Sequence, residues 1–128
     1  MNPYEQIENK AKEASSLDEL AESLHVLLNG NYSVWEDGTL YNIKQLVARY
    51  KGLKIEIYPN EHPPPHFHVK CGDISVSFSI ENCELLEGKL DGRRTGLIEW
   101  WHKRTKEKLI ETWNNTRPSD CPVGPIVQ

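Results

Sequence analysis

Three of the chain's five histidines fall within Glu61-His62-Pro63-Pro64-Pro65-His66-Phe67-His68-Val69, and chemistry-bearing groups are concentrated nowhere else. On a strand, side chains two apart point the same way at a rise of about 6.6 Å, so His66 and His68 can aim both imidazoles at one point while Phe67 and Val69 enter the core. Such a pair is a two-nitrogen chelate for a divalent transition metal such as zinc, or an acid and a base acting on one substrate group. An extended proline run would hold His62 about 12 Å from His66, too far to share an ion. A turn or a cis X-Pro bond would fold the loop back and bring His62 and Glu61 over the pair. Glu61, Glu84 and His102 are the candidate outer ligands. The spacing H-x3-H-x-H has no fixed fourth ligand and no protease-type helix around it. Three readings therefore stand: a metal site on His62, His66 and His68, metal-free histidine catalysis or ligand binding, and imidazoles that only satisfy the loop's own backbone.

Other groups point to chemistry more weakly. Arg93-Arg94, with Lys89 before and Lys103, Arg104, Lys106 and Lys108 after, form a basic stretch near the last helix. Trp100 can stack beside them, making Arg93, Arg94 and Trp100 candidate ligand or partner contacts, although charges on a helix face are ordinarily just solvated. Ser75, Ser77 and Ser79 read as the wet side of a strand. No nucleophile elbow, phosphate-cradling glycine loop or dinucleotide fingerprint is present.

The chain of 128 residues has room for one main core, and with 27% charged residues it is too apolar to be disordered and too polar to live in a bilayer. No window approaches the ~20 apolar residues of a membrane span, and the polar start is not a secretory signal, so the expectation is a soluble cytoplasmic protein with no membrane partner. A formal net charge of −4 repels a phosphate backbone, which leaves nucleic acid only a local basic patch to bind. Cys71, Cys83 and Cys121 are an odd number without C-x-x-C spacing and read as packed or idle thiols.

Elements that must position the histidines follow from local patterns. Asn2 and Pro3 start a short helix carrying Tyr4, Ile7, Ala11 and Ala14 on one side. Ser16 and Glu19 form a capping-box pattern ahead of the stripe Leu17, Leu20, Ala21, Leu24, Leu27 and Leu28, which Asn29-Gly30 ends. Asp37-Gly38 reads as a two-residue hairpin turn that sets Trp35 opposite Leu40 and Val34 opposite Tyr41. Strands are expected over Leu46–Tyr50, Leu53–Tyr58, Phe67–Cys71, Ile74–Ile80 and Cys83–Leu90. A final helix runs from Asp91-Gly92 to about Trp113, with Leu97, Ile98, Trp101, Leu109 and Trp113 on its buried arc and Trp100 and Ile110 off it. The expected fold class is α+β: an antiparallel β-meander of about four to five strands with a C-terminal helix packed on it, plus an N-terminal helical hairpin and β-hairpin. The expected organisation is an extension over 1–44, a domain over 45–114, and over 115–128 a proline-containing tail that is either a loose end or draped on a neighbour.

Lys51-Gly52-Leu53-Lys54-Ile55-Glu56-Ile57-Tyr58, Glu61-His62, Pro64-Pro65-His66-Phe67-His68-Val69 and Leu86-Glu87-Gly88-Lys89-Leu90 resemble the small bacterial domain-of-unknown-function family numbered 4160. His62, Pro64, Pro65, His66 and His68 match its acidic-His-x-Pro-Pro-His-x-His-Val motif position by position, and Glu61 stands at the acidic place. The resemblance implies a small α+β domain, often met in compact bacterial gene pairs of toxin and antitoxin character, and implies no established reaction. The leading expectation is an interaction or regulatory module that docks on a protein partner in such a toxin–antitoxin or defence-type pair, with self-association left open. One rival is a nuclease-like toxin in which His66 and His68 act as acid and base or hold a metal, and Arg93 or Arg94 contacts phosphate. The other is a metal-binding sensor without turnover.

Overall fold

Ser16 starts the second helix by accepting a hydrogen bond from Glu19 N at 3.1 Å, the capping role its spacing predicts. Glu19 reaches back one residue further than a capping box requires, to the N–H and hydroxyl of Ser15 at 3.0 and 2.8 Å. The computed structural model describes residues 3–43, 52–57, 64–115 and 126. Within them the order is α1 (Pro3–Lys12), α2 (Leu17–Asn29), β1 (Tyr32–Val34), β2 (Leu40–Asn42), β3 (Lys54–Glu56), β4 (His66–Cys71), β5 (Ile74–Ser79), β6 (Leu85–Glu87) and α3 (Gly92–Asn115). The class is α+β: an antiparallel sheet with the C-terminal helix against it, an N-terminal helical pair and a separate two-stranded hairpin. The strand expected over Leu46–Tyr50, the loop residues Glu61 and His62, and Cys121 lie outside the described residues.

The N-terminal hairpin is shifted by one residue from the expected register. Val34 pairs with Leu40 and Ser33 with Tyr41, because Trp35 N bonds Thr39 O and Gly38 N bonds Trp35 O, each at 2.9 Å. Glu36-Asp37-Gly38 is therefore a three-residue loop whose Gly38 takes φ +89°, the left-handed bulge position that a glycine serves most readily. A one-residue slip exchanges the two faces of a strand. Val34 and Leu40 turn inward to the core, and Trp35 and Tyr41 stack on each other on the outer face at 4.1 Å.

The main sheet runs β3-β4-β5-β6, antiparallel throughout. Gly72, at φ +62°, turns β4 into β5 so that Cys71 faces Ile74 and each outward step holds register to His66 opposite Ser79. Ile55, Phe67, Val69, Cys71, Val76 and Phe78 are buried along the inner face, with Ile57 and Ile80 just beyond the strand ends. The expectation of a wet serine face fails: Ser77 and Ser79 are 2% and 5% exposed, and only Ser75 is open. Both buried serines lie across from histidines, Ser77 from His68 and Ser79 from His66, so these four side chains form a polar layer on the outer face of the sheet.

Asp91 caps α3 by accepting Arg94 N at 2.8 Å. The predicted arc is buried, but Trp100 and Ile110, expected to project off it, are buried too, together with His102 and Thr105. The reason is that α3 lies between layers: it packs on the sheet through Phe67 and on α1, α2 and β1 from the other side. Trp101 meets both partners, its ring 5.7 Å from Phe67 and its Nε1–H donating to Ser23 Oγ of α2 at 2.8 Å. The helical hairpin, β2, the sheet and α3 thus share one hydrophobic cluster. Ile126 lies against the end of α3, where its N–H and C=O bond the Asn114 amide at 2.7 and 3.1 Å. Among the described residues no helix is long and apolar enough to cross a membrane.

Candidate functional site

β4 places His66 and His68 on one face, as strand alternation requires, while Phe67 between them is anchored against Trp101 and Phe78. The two imidazole centroids are 4.9 Å apart with the rings tilted 70°, an edge-to-face pair. His66 is 2% exposed and His68 is half-buried. His66 Nδ1–H donates to Pro64 O at 2.7 Å, which fixes the tautomer and leaves Nε2 as the ring's accepting or ligating nitrogen in the neutral form. Pro65 holds the loop to the sheet through Ile80 N, which donates to its carbonyl at 3.0 Å. Trp113, in the last turn of α3, lies 6.3 Å from His66, so the site sits where the helix end meets the start of β4.

Register adds residues that the sequence reading passed over. His68 is directly opposite Glu56 on β3 and Ser77 on β5, and Ser77 in turn faces Glu87 on β6. Glu56, His68, Ser77 and Glu87 form one row across the outer face, with neighbouring Cβ atoms roughly 4.5–5.5 Å apart. Counting outward from the Gly72-Asp73 turn would have found Ser77, and the alternation of Ile55, Glu56 and Ile57 would have put Glu56 on the histidine side. Glu56 also pairs with Lys70 at 3.4 Å. A row of this kind can accept and donate several hydrogen bonds at once.

The remaining candidates do not converge on the histidines. His102 Nε2–H donates to Ile80 O at 2.6 Å and its ring stacks on Phe67, while burial pushes its pKa down against that bond; it is a core residue. Glu84 is exposed beside the β5–β6 turn, where its N–H bonds Asn82 Oδ1 at 3.0 Å. Among the described residues no three histidine, cysteine, aspartate or glutamate side chains are grouped to hold a metal ion, and Glu61 and His62 lie outside those residues.

Arg94 is ion-paired with Asp91 and acts electrostatically on the Cys71 thiol, which burial raises. Arg93 donates to Gly30 O at 3.4 Å at the end of α2. Cys71 is the far end of β4 from His66, and Arg94 and Trp113 lie about 28 Å apart along α3. The two arginines therefore sit at the opposite end of the molecule from the imidazole pair. Trp100 is 5% exposed, its ring covered by the Arg104 guanidinium at 3.8 Å.

Residues 52–114 match the family model described as Domain of unknown function (DUF4160). The chain belongs to this family. The match takes in β3 to β6 and α3 to Asn114, and so contains both described histidines of the site and the Glu56–Glu87 row. It begins at residue 52, and α1, α2, β1 and β2 precede it. No curated protein and no solved structure matches the chain. Gly88, in the Leu86-Glu87-Gly88-Lys89-Leu90 stretch of this DUF4160 domain, has a strict local reason: it takes φ +89°, and a Cβ there would meet Ser75 O at 2.4 Å.

Proposed function

We propose that the chain is a protein-binding regulatory module that docks through the outer face of its DUF4160 sheet, centred on His66 and His68, as one member of a toxin–antitoxin or defence-type pair. The observation that carries this reading is the clamped histidine pair, with His66 fixed by Pro64 O at 2.7 Å and its ring 4.9 Å from His68. A preset pair of rings backed by Ser77 and flanked by Glu56 offers a partner several hydrogen bonds whose ordering cost has been met in folding. The arginines that the nuclease-like alternative would set on phosphate, Arg93 and Arg94, lie away from the pair, and Lys70, on the same face of β4, is paired with Glu56 at 3.4 Å; both facts favour docking.

A second reading, a metal-binding sensor, draws on the same bond. Donation of Nδ1–H to a backbone carbonyl is the usual outer-shell arrangement for a histidine that ligates through Nε2. Zinc would then bind through His66 and His68, with a third ligand from outside the described residues or from the partner.

Co-expression with the product of the neighbouring gene tests the first reading. A stoichiometric complex that survives purification, and is lost in a His66→Ala/His68→Ala variant with a wild-type melting profile, is the expected result. A complex indifferent to that double variant, or no complex at all, contradicts it. Metal analysis of the same preparations tests the second: zinc at one equivalent that disappears with the two histidines supports it, and metal-free protein of unaltered fold refutes it.

A further inference from the structure

A groove of about 490 Å³ opens between the β1–β2 hairpin tip and the first half of α3, lined by Trp35, Glu36, Asp37, Glu99, Trp100 and Lys103 among others. Trp100 is about 20 Å along the helix from Trp113, so this groove is distinct from the histidine face. Trp35 is 56% exposed, the most open large apolar side chain among the described residues, and the other three tryptophans are buried. One face of its indole is braced by Tyr41 at 4.1 Å and 17°. An aromatic ring held rigidly from behind and left open to solvent is unusual outside contact surfaces, where tryptophan is enriched.

Charge around the groove is one-sided. Glu36, Asp37 and Glu99 are exposed on its rim. Its arginine is already engaged: Arg104 lies over Trp100, donates to Trp100 O at 2.9 Å and contacts Glu8 at 3.4 Å. Among the described residues lining the groove, Lys103 alone is left to answer three carboxylates. We propose that this groove receives an arginine side chain from an exposed segment of a partner protein, its guanidinium stacked on the open face of Trp35 and hydrogen-bonded by Glu36 and Glu99. Arginine suits the place better than lysine because a planar guanidinium can lie on an indole and still direct its N–H groups at carboxylates in the ring plane. The proposal is independent of the histidine face, and each can fail without the other.

The test uses the full chain and a blocked hexapeptide carrying two arginines, with lysine, citrulline and glutamate versions as controls. Trp35 is the one well-exposed tryptophan, so its indole N–H resonance and the solvent-sensitive part of the fluorescence report the site directly. Saturable shifts of the Trp35 indole and of the Gly96 and Glu99 amides with the arginine peptide, at least fivefold weaker with lysine and absent with citrulline, are expected. Trp35→Ala should abolish the Gly96 and Glu99 shifts, Glu99→Lys should weaken binding about tenfold, and both variants should keep the wild-type melting profile. Equal binding of the citrulline peptide, shifts that persist in Trp35→Ala, or no saturable binding would overturn the proposal. So would concentration-dependent shifts of the same resonances without peptide, which would assign the groove to a second copy of the chain, or saturable shifts with a single-stranded oligonucleotide alone.

Discussion

Trp101 and Ser23 join the two halves of the chain: the indole N–H of α3 donates to the Ser23 hydroxyl on α2 at 2.8 Å, with both residues buried. Ser23 Oγ–H in turn donates to Leu20 O at 2.7 Å, so the chain of donors ends on a backbone carbonyl. The extension ahead of the DUF4160 match is thereby tied into the same core as the domain. Ser23→Ala would leave a buried N–H without its acceptor. The expected loss is roughly 1–2 kcal/mol, the penalty of the orphaned donor less the better helix propensity of alanine, read as a lower urea midpoint with unchanged slope.

Two glycines separate backbone need from mere smallness. Gly88→Ala should destabilise by about 2 kcal/mol or more, since its φ of +89° is left-handed and the new Cβ would meet Ser75 O at 2.4 Å. Gly96→Ala should stabilise by roughly 0.5–1 kcal/mol, because it sits inside α3 and the added methyl would meet only Val34 Cβ at an ordinary 3.9 Å. Thermal melts of the pair should move in opposite directions.

Stability should fall with acid in a window set by His102. Burial holds its folded pKa below the ordinary value of 6.5, and the bond to Ile80 O only partly opposes this. Above that value both states are neutral and the group contributes nothing pH-dependent. Below it the unfolded chain takes up a proton that the native state resists, so stability drops as pH falls from about 6.5 toward the depressed folded pKa. Melting curves between pH 7.5 and 5 should show this slope, and His102→Gln, which keeps an N–H for Ile80, should flatten it.

Legibility of the fold in the sequence follows how local each determinant is. Ser16, Asn29-Gly30, the β4–β5 turn and the alternation of Val76 and Phe78 act over a few residues, and their elements stand where the patterns put them. Asp37-Gly38 is a turn signal shared by two-residue and three-residue loops, and the choice between them, which the residue pair does not encode, gave Leu40 to Val34 instead of Trp35. Trp100, Ile110 and the buried serines were misjudged for a different reason. A helical wheel or a strand alternation reports one preferred face, whereas α3 packs on the sheet and also on α1, α2 and β1, and Ser77 and Ser79 are buried beside the histidines. His66 and His68 were legible as a pair because they lie two apart on one strand. Their row with Glu56, Ser77 and Glu87 needed three strand registers.

The most direct test of the docking surface is the calorimetric affinity of the His68→Ala chain for the neighbouring gene's product, beside that of wild type. His68 is half-buried and makes the change with less disturbance than buried His66. A loss of tenfold or more in affinity at an unchanged melting temperature is the expected result. Equal affinity for the two proteins would contradict the account and move the contact surface away from the histidines.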